Sequence, residues 1–288
     1  ESGAITSMIR GGFTSTGGGH VNSNGAPFAA WMWKAGGSKN TFNVDDVGYA
    51  TAAAAGLTGG SITPTAASVG TKQGFSIIKF TNTSSDSTQS HGLTQKPDFI
   101  IWKKTSGTSH WPIYHSSLGA TKYVYLNLTN ASATGSEFWN NTEPTDSLVT
   151  TKGEPNSMGS AGDTIMYLWH NVPGLQKFGS YSGNSSANGS FVELGFRPAL
   201  LWLKRTDSTG NWVILDTRRN PSNPVTISAY ADSNADANYD PGQDWADILS
   251  NGFKLRATYG EVNVGSYIYC AWAEAPSIDL YGGGANAR

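Results

Sequence analysis

Five histidines, one cysteine, scattered glutamates and a run of alternating aspartates and asparagines are the residues of this chain with chemistry to offer. The run is Asp232, Asn234, Asp236, Asn238 and Asp240, then Pro241-Gly242 and Asp244. Closely spaced carboxylate and amide oxygens suit Ca²⁺, a hard cation that takes about six to eight oxygen ligands. The spacing departs from the EF-hand rule, because the sixth position counted from Asp236 is Pro241 and glycine comes only at the seventh. The Asp232–Asp244 loop is therefore read as a solvated polar loop, with Ca²⁺ as the alternative. The histidines are His20, His91, His110, His115 and His170, and only His110 and His115 stand close together. Five residues apart on a strand, they point to opposite faces, which argues against a shared metal site and for polar surface. A glycosidase pair would draw on Glu137, Glu143, Glu154, Glu193, Glu261 or Glu274, but sequence does not place any two of them across a cleft. The chain has no G-x-S-x-G nucleophile turn, no Walker-type glycine loop and no dinucleotide fingerprint. No catalytic, cofactor-binding or metal-binding residue is assigned on this reading.

Composition narrows the classes. The 288 residues carry a formal net charge of -2, and only 14% are charged, while aromatic residues make up 11% and glycine counts 35. Disorder would need the opposite balance, and a nucleic-acid binder would show a basic stripe. A single cysteine, Cys270, excludes an intrachain disulfide framework. No apolar run approaches the ~18 residues that span a bilayer. The first residues, Glu1-Ser2-Gly3-Ala4, carry no signal-peptide pattern and no initiator Met, so the chain is expected to be a fragment or a processed product.

The strongest signal is an internal repeat. Lys96-Pro97-Asp98-Phe99-Ile100-Ile101-Trp102-Lys103-Lys104-Thr105 aligns without a gap on Arg197-Pro198-Ala199-Leu200-Leu201-Trp202-Leu203-Lys204-Arg205-Thr206, an offset of 101 residues (97 to 198). The same offset pairs Trp111 with Trp212, Ile113 with Ile214 and Phe80 with Tyr181, and it sets Asn211 and Asp216 at the places of His110 and His115. Periodic self-similarity of this kind reads as duplication of one structural unit. A partial third copy shows at the start: Gly12-Phe13, Asn22, Gly25, Phe28 and Ala30-Trp31 echo Gly252-Phe253, Asn263, Gly265, Tyr267 and Ala271-Trp272. On this reading the chain starts partway through a unit, and strands at Phe28 to Trp33 need partners from elsewhere.

The runs themselves are short, β-branched and aromatic, bounded by polar turns. Strands are predicted at Phe75 to Phe80, Asp98 to Lys103, Tyr123 to Leu128 and Thr164 to Trp169. In the second copy they fall at Ala199 to Lys204, Asn211 to Leu215, Val225 to Tyr230, Phe253 to Ala257 and Tyr267 to Trp272. The unbroken apolar run Phe99-Ile100-Ile101-Trp102 predicts a strand covered on both faces. One capped helical turn is predicted over Asp244 to Leu249. Trp111 and Trp212, each in an apolar run, are both expected in a core, with an aromatic platform for sugar rings as the alternative. The fold class is all-β: two tandem β-sandwich-like, jelly-roll-like modules related by internal duplication, after a strand-and-loop N-terminal arm. The expected boundaries are 1–71 for the arm, 72–173 for the first module, 174–276 for the second and 277–288 for a tail.

Several separated motifs resemble a known family. They are Ala30-Trp31-Met32-Trp33-Lys34-Ala35-Gly36-Gly37, Gly74-Phe75-Ser76-Ile77-Ile78-Lys79-Phe80, His91-Gly92-Leu93, Phe196-Arg197-Pro198, Thr206-Asp207-Ser208-Thr209-Gly210-Asn211-Trp212 and Leu249-Ser250-Asn251-Gly252-Phe253-Lys254. Together they resemble a poorly characterised repeat domain of marine bacteriophage virion proteins, cyanophages included, and Tyr281 to Arg288 looks like that family's natural C-terminus. The resemblance implies a non-enzymatic virion structural protein, the C-terminal part of a tail fibre or another surface appendage or decoration. It carries over no catalytic residue. With the low charge and the half-unit at the start, it leads to the expectation of a homo-oligomer, a trimer, on the virion surface or otherwise extracellular. Its partners would be copies of itself, other virion proteins and a host surface glycan, without nucleic acid or membrane insertion. Two alternatives stand beside it: a lectin-like carbohydrate-binding module for host glycans, and a polysaccharide depolymerase.

Overall fold

Short apolar runs punctuated by Gly, Asn, Ser and Thr favour strands over helices, and among the described residues the computed structural model has strands and turns but no helix. Those residues are 5–9, 12–17, 21, 23–25, 28–153, 161–233, 238–239 and 243–273. They fall in two compact units, Glu1–Lys34 and Ala35–Arg288.

The first unit contains one antiparallel hairpin, β1 (Ile5–Ile9) and β2 (Gly12–Ser15), with Ile9 opposite Gly12 and Met8 opposite Phe13. All five residues of β1 are exposed. The strand predicted at Phe28 to Trp33 does not form: these residues belong to no ladder, and among the unit's described residues the strands are the two that pair with each other.

The second unit begins with β3 (Phe42–Val44), β4 (Val47–Tyr49), β5 (Ala66–Gly70), β6 (Phe75–Asn82), β7 (Ser87–Ser90) and β8 (Phe99–Lys104). It continues with β9 (Pro112–His115), β10 (Lys122–Tyr125), β11 (Ala133–Thr134), β12 (Leu148–Thr151) and β13 (Gly162–Trp169). The second half carries β14 (Gln176–Ser182), β15 (Phe191–Glu193), β16 (Pro198–Arg205), β17 (Trp212–Asp216) and β18 (Ile227–Tyr230). It ends with β19 (Asn238–Tyr239), β20 (Ala246–Leu249), β21 (Gly252–Leu255) and β22 (Ser266–Ala273).

Each half makes one large and one small sheet. The large sheets run β11-β10-β9-β8-β13-β6-β5-β3-β4 and β19-β18-β17-β16-β22-β14, and the small ones are β12-β7 and β15-β21-β20. From β6 and from β14 outward the order of six strands is the same. Registers agree as well: Phe99 faces His115 and Leu200 faces Asp216, while Trp169 lies between Phe75 and Phe99 as Trp272 lies between Gln176 and Leu200.

Two expectations need correction. The arm does not extend to residue 71, because β5 ladders along β6 from Ala66 to Gly70, and β3 joins β5 in parallel. Residues 42–70 therefore extend the first large sheet, covering an edge of β6 that would otherwise leave backbone groups unpaired. The helical turn predicted before Gly252 is instead β20, because Ala246 and Ile248 alternate inward against β21 with Asp247 and Leu249 less buried.

The central strands are covered on both faces, as the run Phe99 to Trp102 predicts: all four residues are buried. Ile100 and Trp102 pack inward with Phe80, Tyr114, Phe138, Trp139 and Val149 of β12. Phe99 points the other way and stacks on Phe178 of the second half at 5.5 Å, with Trp202 edge-on at 6.4 Å. In the second half Leu201 and Leu203 pack inward with Val192, Ile248 and Phe253 of the small sheet. Trp169 meets its equivalent, Trp272, at 6.2 Å. The layers are thus small sheet, large sheet, large sheet, small sheet. Full burial of each such aromatic contributes ~1.5–3 kcal/mol.

Candidate functional site

Of the polar residues that sequence singles out, His115 reaches across to the second half. His115 ends β9 and is fully buried, which corrects its reading as polar surface. Its Nδ1 accepts the Ser117 N–H at 3.2 Å, so the proton sits on Nε2, which donates to the Tyr269 carbonyl of the other half at 3.1 Å. Burial pushes its pKa down from 6.5 to about 4, against the raising effect of that carbonyl. At the equivalent place Asp216 meets the same local need, with Oδ1 accepting the N–H groups of Arg218 at 3.0 Å and Arg219 at 2.8 Å. The requirement at the end of β9 and β17 is an acceptor for the N–H two residues on, and either side chain meets it.

The second equivalent pair is a lysine beside a tryptophan. Lys204 is fully buried on β16, and its Nζ donates to the carbonyls of Gly210 and, at 2.8 Å, Thr129 from the first half. Burial lowers its pKa from 10.5 to about 8, while Asp232 and Glu261 oppose the shift. Trp212, also fully buried, donates its indole N–H to the Tyr125 carbonyl at 2.8 Å and its backbone N–H to Asp232 Oδ1 at 2.8 Å. In the first half Lys103 Nζ donates to the Ser109 carbonyl at 2.7 Å and lies 5.2 Å from the Trp111 ring centroid. The Trp111 backbone N–H meets Asn127 Oδ1 at 3.0 Å. Asn127 Nδ2 lies 3.2 Å from Nδ1 of the exposed His110, whose ring leans on Tyr125 at 4.9 Å. Trp111 is only half-buried and lies just outside β9, so the expectation that both tryptophans are core holds for Trp212 alone.

The remaining candidates are held locally. His91 is buried, with Nδ1 accepting Leu93 N–H and Nε2 donating to the Thr145 carbonyl, and burial lowers its pKa from 6.5 to about 4. His170 donates from Nδ1 to the Asn171 carbonyl at 2.8 Å. Glu143 accepts from Tyr114 Oη at 2.6 Å, Lys96 Nζ at 2.7 Å and Ala120 N–H at 2.7 Å. Partial burial raises its pKa, but those three donors outweigh it and hold it below 4.5. Glu261 accepts from the Asn211 N–H at 3.1 Å, and Glu193 stands exposed on β15. Cys270 is buried on β22, which pushes its thiol pKa well up. His20, Glu154, Glu274, and Asn234, Asp236, Asp240, Pro241 and Gly242 of the acidic loop lie outside the described residues. Among the described residues no three His, Cys, Asp or Glu side chains gather as a metal cluster.

Sequence reasoning missed the part played by Lys204 and by the segment from Tyr125 to Ser132. Besides Tyr125 and Thr129, Ser132 joins it by donating N–H and Oγ to the Thr206 carbonyl. The signal available was the repeated spacing of a Lys eight residues before a Trp in both copies, Lys103 to Trp111 and Lys204 to Trp212. Chemically, the buried arrangement ties one half to the other through carbonyls. The half-open one presents an indole, a cation and an amide to solvent.

Residues 1–276 match a family described as a domain of unknown function, DUF7483. No curated protein and no solved structure matches the chain.

Proposed function

The chain belongs to the DUF7483 family, and we propose that it is a non-enzymatic structural protein of a bacteriophage particle, the C-terminal part of a tail fibre or another surface appendage or decoration. The observation that carries this reading is the use made of the chemistry-bearing residues. His91, His115, Lys204 and Asp216 each satisfy main-chain groups at turns or between the two halves, so these side chains serve to hold the backbone. The resemblance of its motifs to phage virion repeats points the same way. In this reading the chain works as a homo-oligomer, a trimer, outside the cell and in contact with other virion proteins. Immunogold electron microscopy on purified particles tests it: label on an appendage or on the particle surface is expected. Particles free of the polypeptide would end the proposal, and a monomer by light scattering would end its oligomeric part.

A second reading has its own observation. The half-exposed Trp111, with Lys103 against its ring and Asn127 and His110 beside it, has the amphipathic character of a sugar-stacking platform. Glycan-array binding that Trp111→Ala abolishes would support a lectin-like role, and chelation would show whether Ca²⁺ takes part. An array with no hit would remove it.

A further inference from the structure

The hairpin of the first unit is built like one in the second unit, yet its surroundings differ. Ile9 faces Gly12 and Met8 faces Phe13 across β1 and β2, as Leu249 faces Gly252 and Ile248 faces Phe253 across β20 and β21. Two residues separate the strands in both, and the offset is 240 throughout (9 to 249, 13 to 253). In the second module that hairpin is covered. Val192 of β15 pairs with Phe253, Val225 bridges to Ala246, and Phe253 and Ile248 are 0% and 5% exposed. In the first unit Met8 is 68% exposed, Ile9 55% and Ile5 54%. The likeness continues beyond the hairpin. At an offset of 241, Phe28-Ala29-Ala30-Trp31 aligns on Tyr269-Cys270-Ala271-Trp272 of β22, which has β14 on one side and β16 on the other. Phe28 and Met32 are 51% and 52% exposed and sit in no ladder.

An isolated two-stranded hairpin is marginal in water, and large apolar side chains exposed along one segment mark an interaction surface. The complement can be read from the second module itself. It is a set of strands equivalent to β14 through β19, which supplies the partner for β21, the two flanks for β22 and the apolar floor beneath Phe253. We infer that residues 5–33 are the closing segment of a further module of this same fold, and that they dock as hairpin plus central strand onto a module body carried on another stretch of polypeptide. The modules of the second unit do not offer that place. Each already has its own equivalent strands, β12 and β13 in the first and β20 to β22 in the second. The free side of β12 is taken at both ends, by Thr145 N–H on the Leu148 carbonyl and by Lys152 N–H on the Phe138 carbonyl. This inference does not depend on the phage reading.

The test keeps the whole chain and adds the missing body. By the offset of 240, a second copy of residues 174–240 placed before Glu1 runs straight into the hairpin in the order the second module has. Hydrogen–deuterium exchange is then read by mass spectrometry on the 288-residue chain and on the extended one. In the chain alone, amides of residues 5–33 are expected to exchange within seconds at every protein concentration. In the extended chain they should slow at least 100-fold, with Met8 and Met32 sheltered from peroxide. Phe13→Asp in the extended chain should reverse that protection and leave the exchange of residues 35–273 as it was. No slowing on extension, or slowing that survives Phe13→Asp, overturns the inference. So does protection of residues 5–33 in the unextended chain that rises with concentration, since a second copy would then be the occupant.

Discussion

Lys103 and Trp111 in one half, and Lys204 and Trp212 in the other, share spacing and a local hydrogen-bond frame, although the ladder pairs Lys204 with Trp212 and in the first half stops at Ile101 and Ile113. They nonetheless end in different environments. Both lysines donate to the carbonyl six residues on, Ser109 and Gly210, and both tryptophans give their backbone N–H to the second residue past the next strand's end, Asn127 and Asp232. What separates them is the segment from Tyr125 to Ser132, which lies over the second pair and turns an amphipathic patch into a dry junction. Equivalent sequence therefore sets the local frame, and long-range packing decides whether that frame is wall or surface.

The sharpest way to break this comparison is to remove each ring in turn. Trp212→Ala deletes a fully buried indole and strands the Tyr125 carbonyl, a class of change that costs about 3–5 kcal/mol. Trp111→Ala removes a half-buried ring over a lysine stem and should cost about 1 kcal/mol. Urea midpoints of the two variants check this, and equal losses would mean that the two sites are equally dry.

His115 and Asp216 sharpen it next. The buried imidazole keeps a pKa near 4 while the unfolded residue titrates near 6.5. As pH falls from 6.5 to 4 the unfolded state takes up a proton that the folded state refuses, so stability declines across that window, by up to about 3 kcal/mol for this one group. His91 adds a decline of the same sign over the same window. His115→Asn keeps an acceptor for Ser117, gives up the reach to Tyr269 and does not titrate. Its acid limb should be shallower than that of the parent, as measured by urea unfolding at pH 4, 5, 6 and 7. Parallel limbs would mean that the ring is hydrated.

Much of the fold was legible because the repeat writes its strands as short β-branched runs, and the doubly apolar Phe99 to Trp102 announced a strand between two layers. Which layer each face would meet was not legible. Phe99 and Ile100 are equally apolar, and only the pairing with Phe178 of the other half separates their roles. The joining of β3 to β5 was hidden for a similar reason: a parallel pair between Phe42–Val44 and Ala66–Gly70 leaves no local pattern. Asp244 to Leu249 misled because a start that looks like a helix cap carries no information about the β21 ladder waiting for it. The polar residues were the least legible part. His115 looks like surface on a strand end, and its burial comes from a carbonyl 154 residues away in sequence.

Lys204 gives an effect of the same sign on the alkaline side. Its pKa is lowered to about 8 from 10.5, so between those values the unfolded state holds the extra proton and stability rises with pH. Burial raises the pKa of Tyr114, Tyr125 and Tyr267 above 10, which works the other way once unfolded tyrosine ionises. The lysine effect is therefore cleanest from pH 8 to 9.5, where it amounts to about 2 kcal/mol. Lys204→Met should abolish that rise. Lys103→Met, whose parent lysine is shifted less, should leave most of it in place. A rise that persists in Lys204→Met would assign it to another group.

The smallest expected effect isolates the frame from its cover. Asn127 and Asp232 accept the same backbone N–H in the two halves, at 3.0 Å and 2.8 Å. Asn127→Ala leaves the Trp111 N–H at a partly open site where water can replace the amide, so the loss should stay near 0.5 kcal/mol. Asp232→Ala leaves the Trp212 N–H in the dry junction and also removes the carboxylate that opposes the lowering of the Lys204 pKa. It should cost about 1–2 kcal/mol more than its counterpart, and it should move the alkaline rise of stability to lower pH. That second readout matters because a simple loss of packing would lower stability at every pH alike, whereas a shift of the rise ties Asp232 to the lysine through charge.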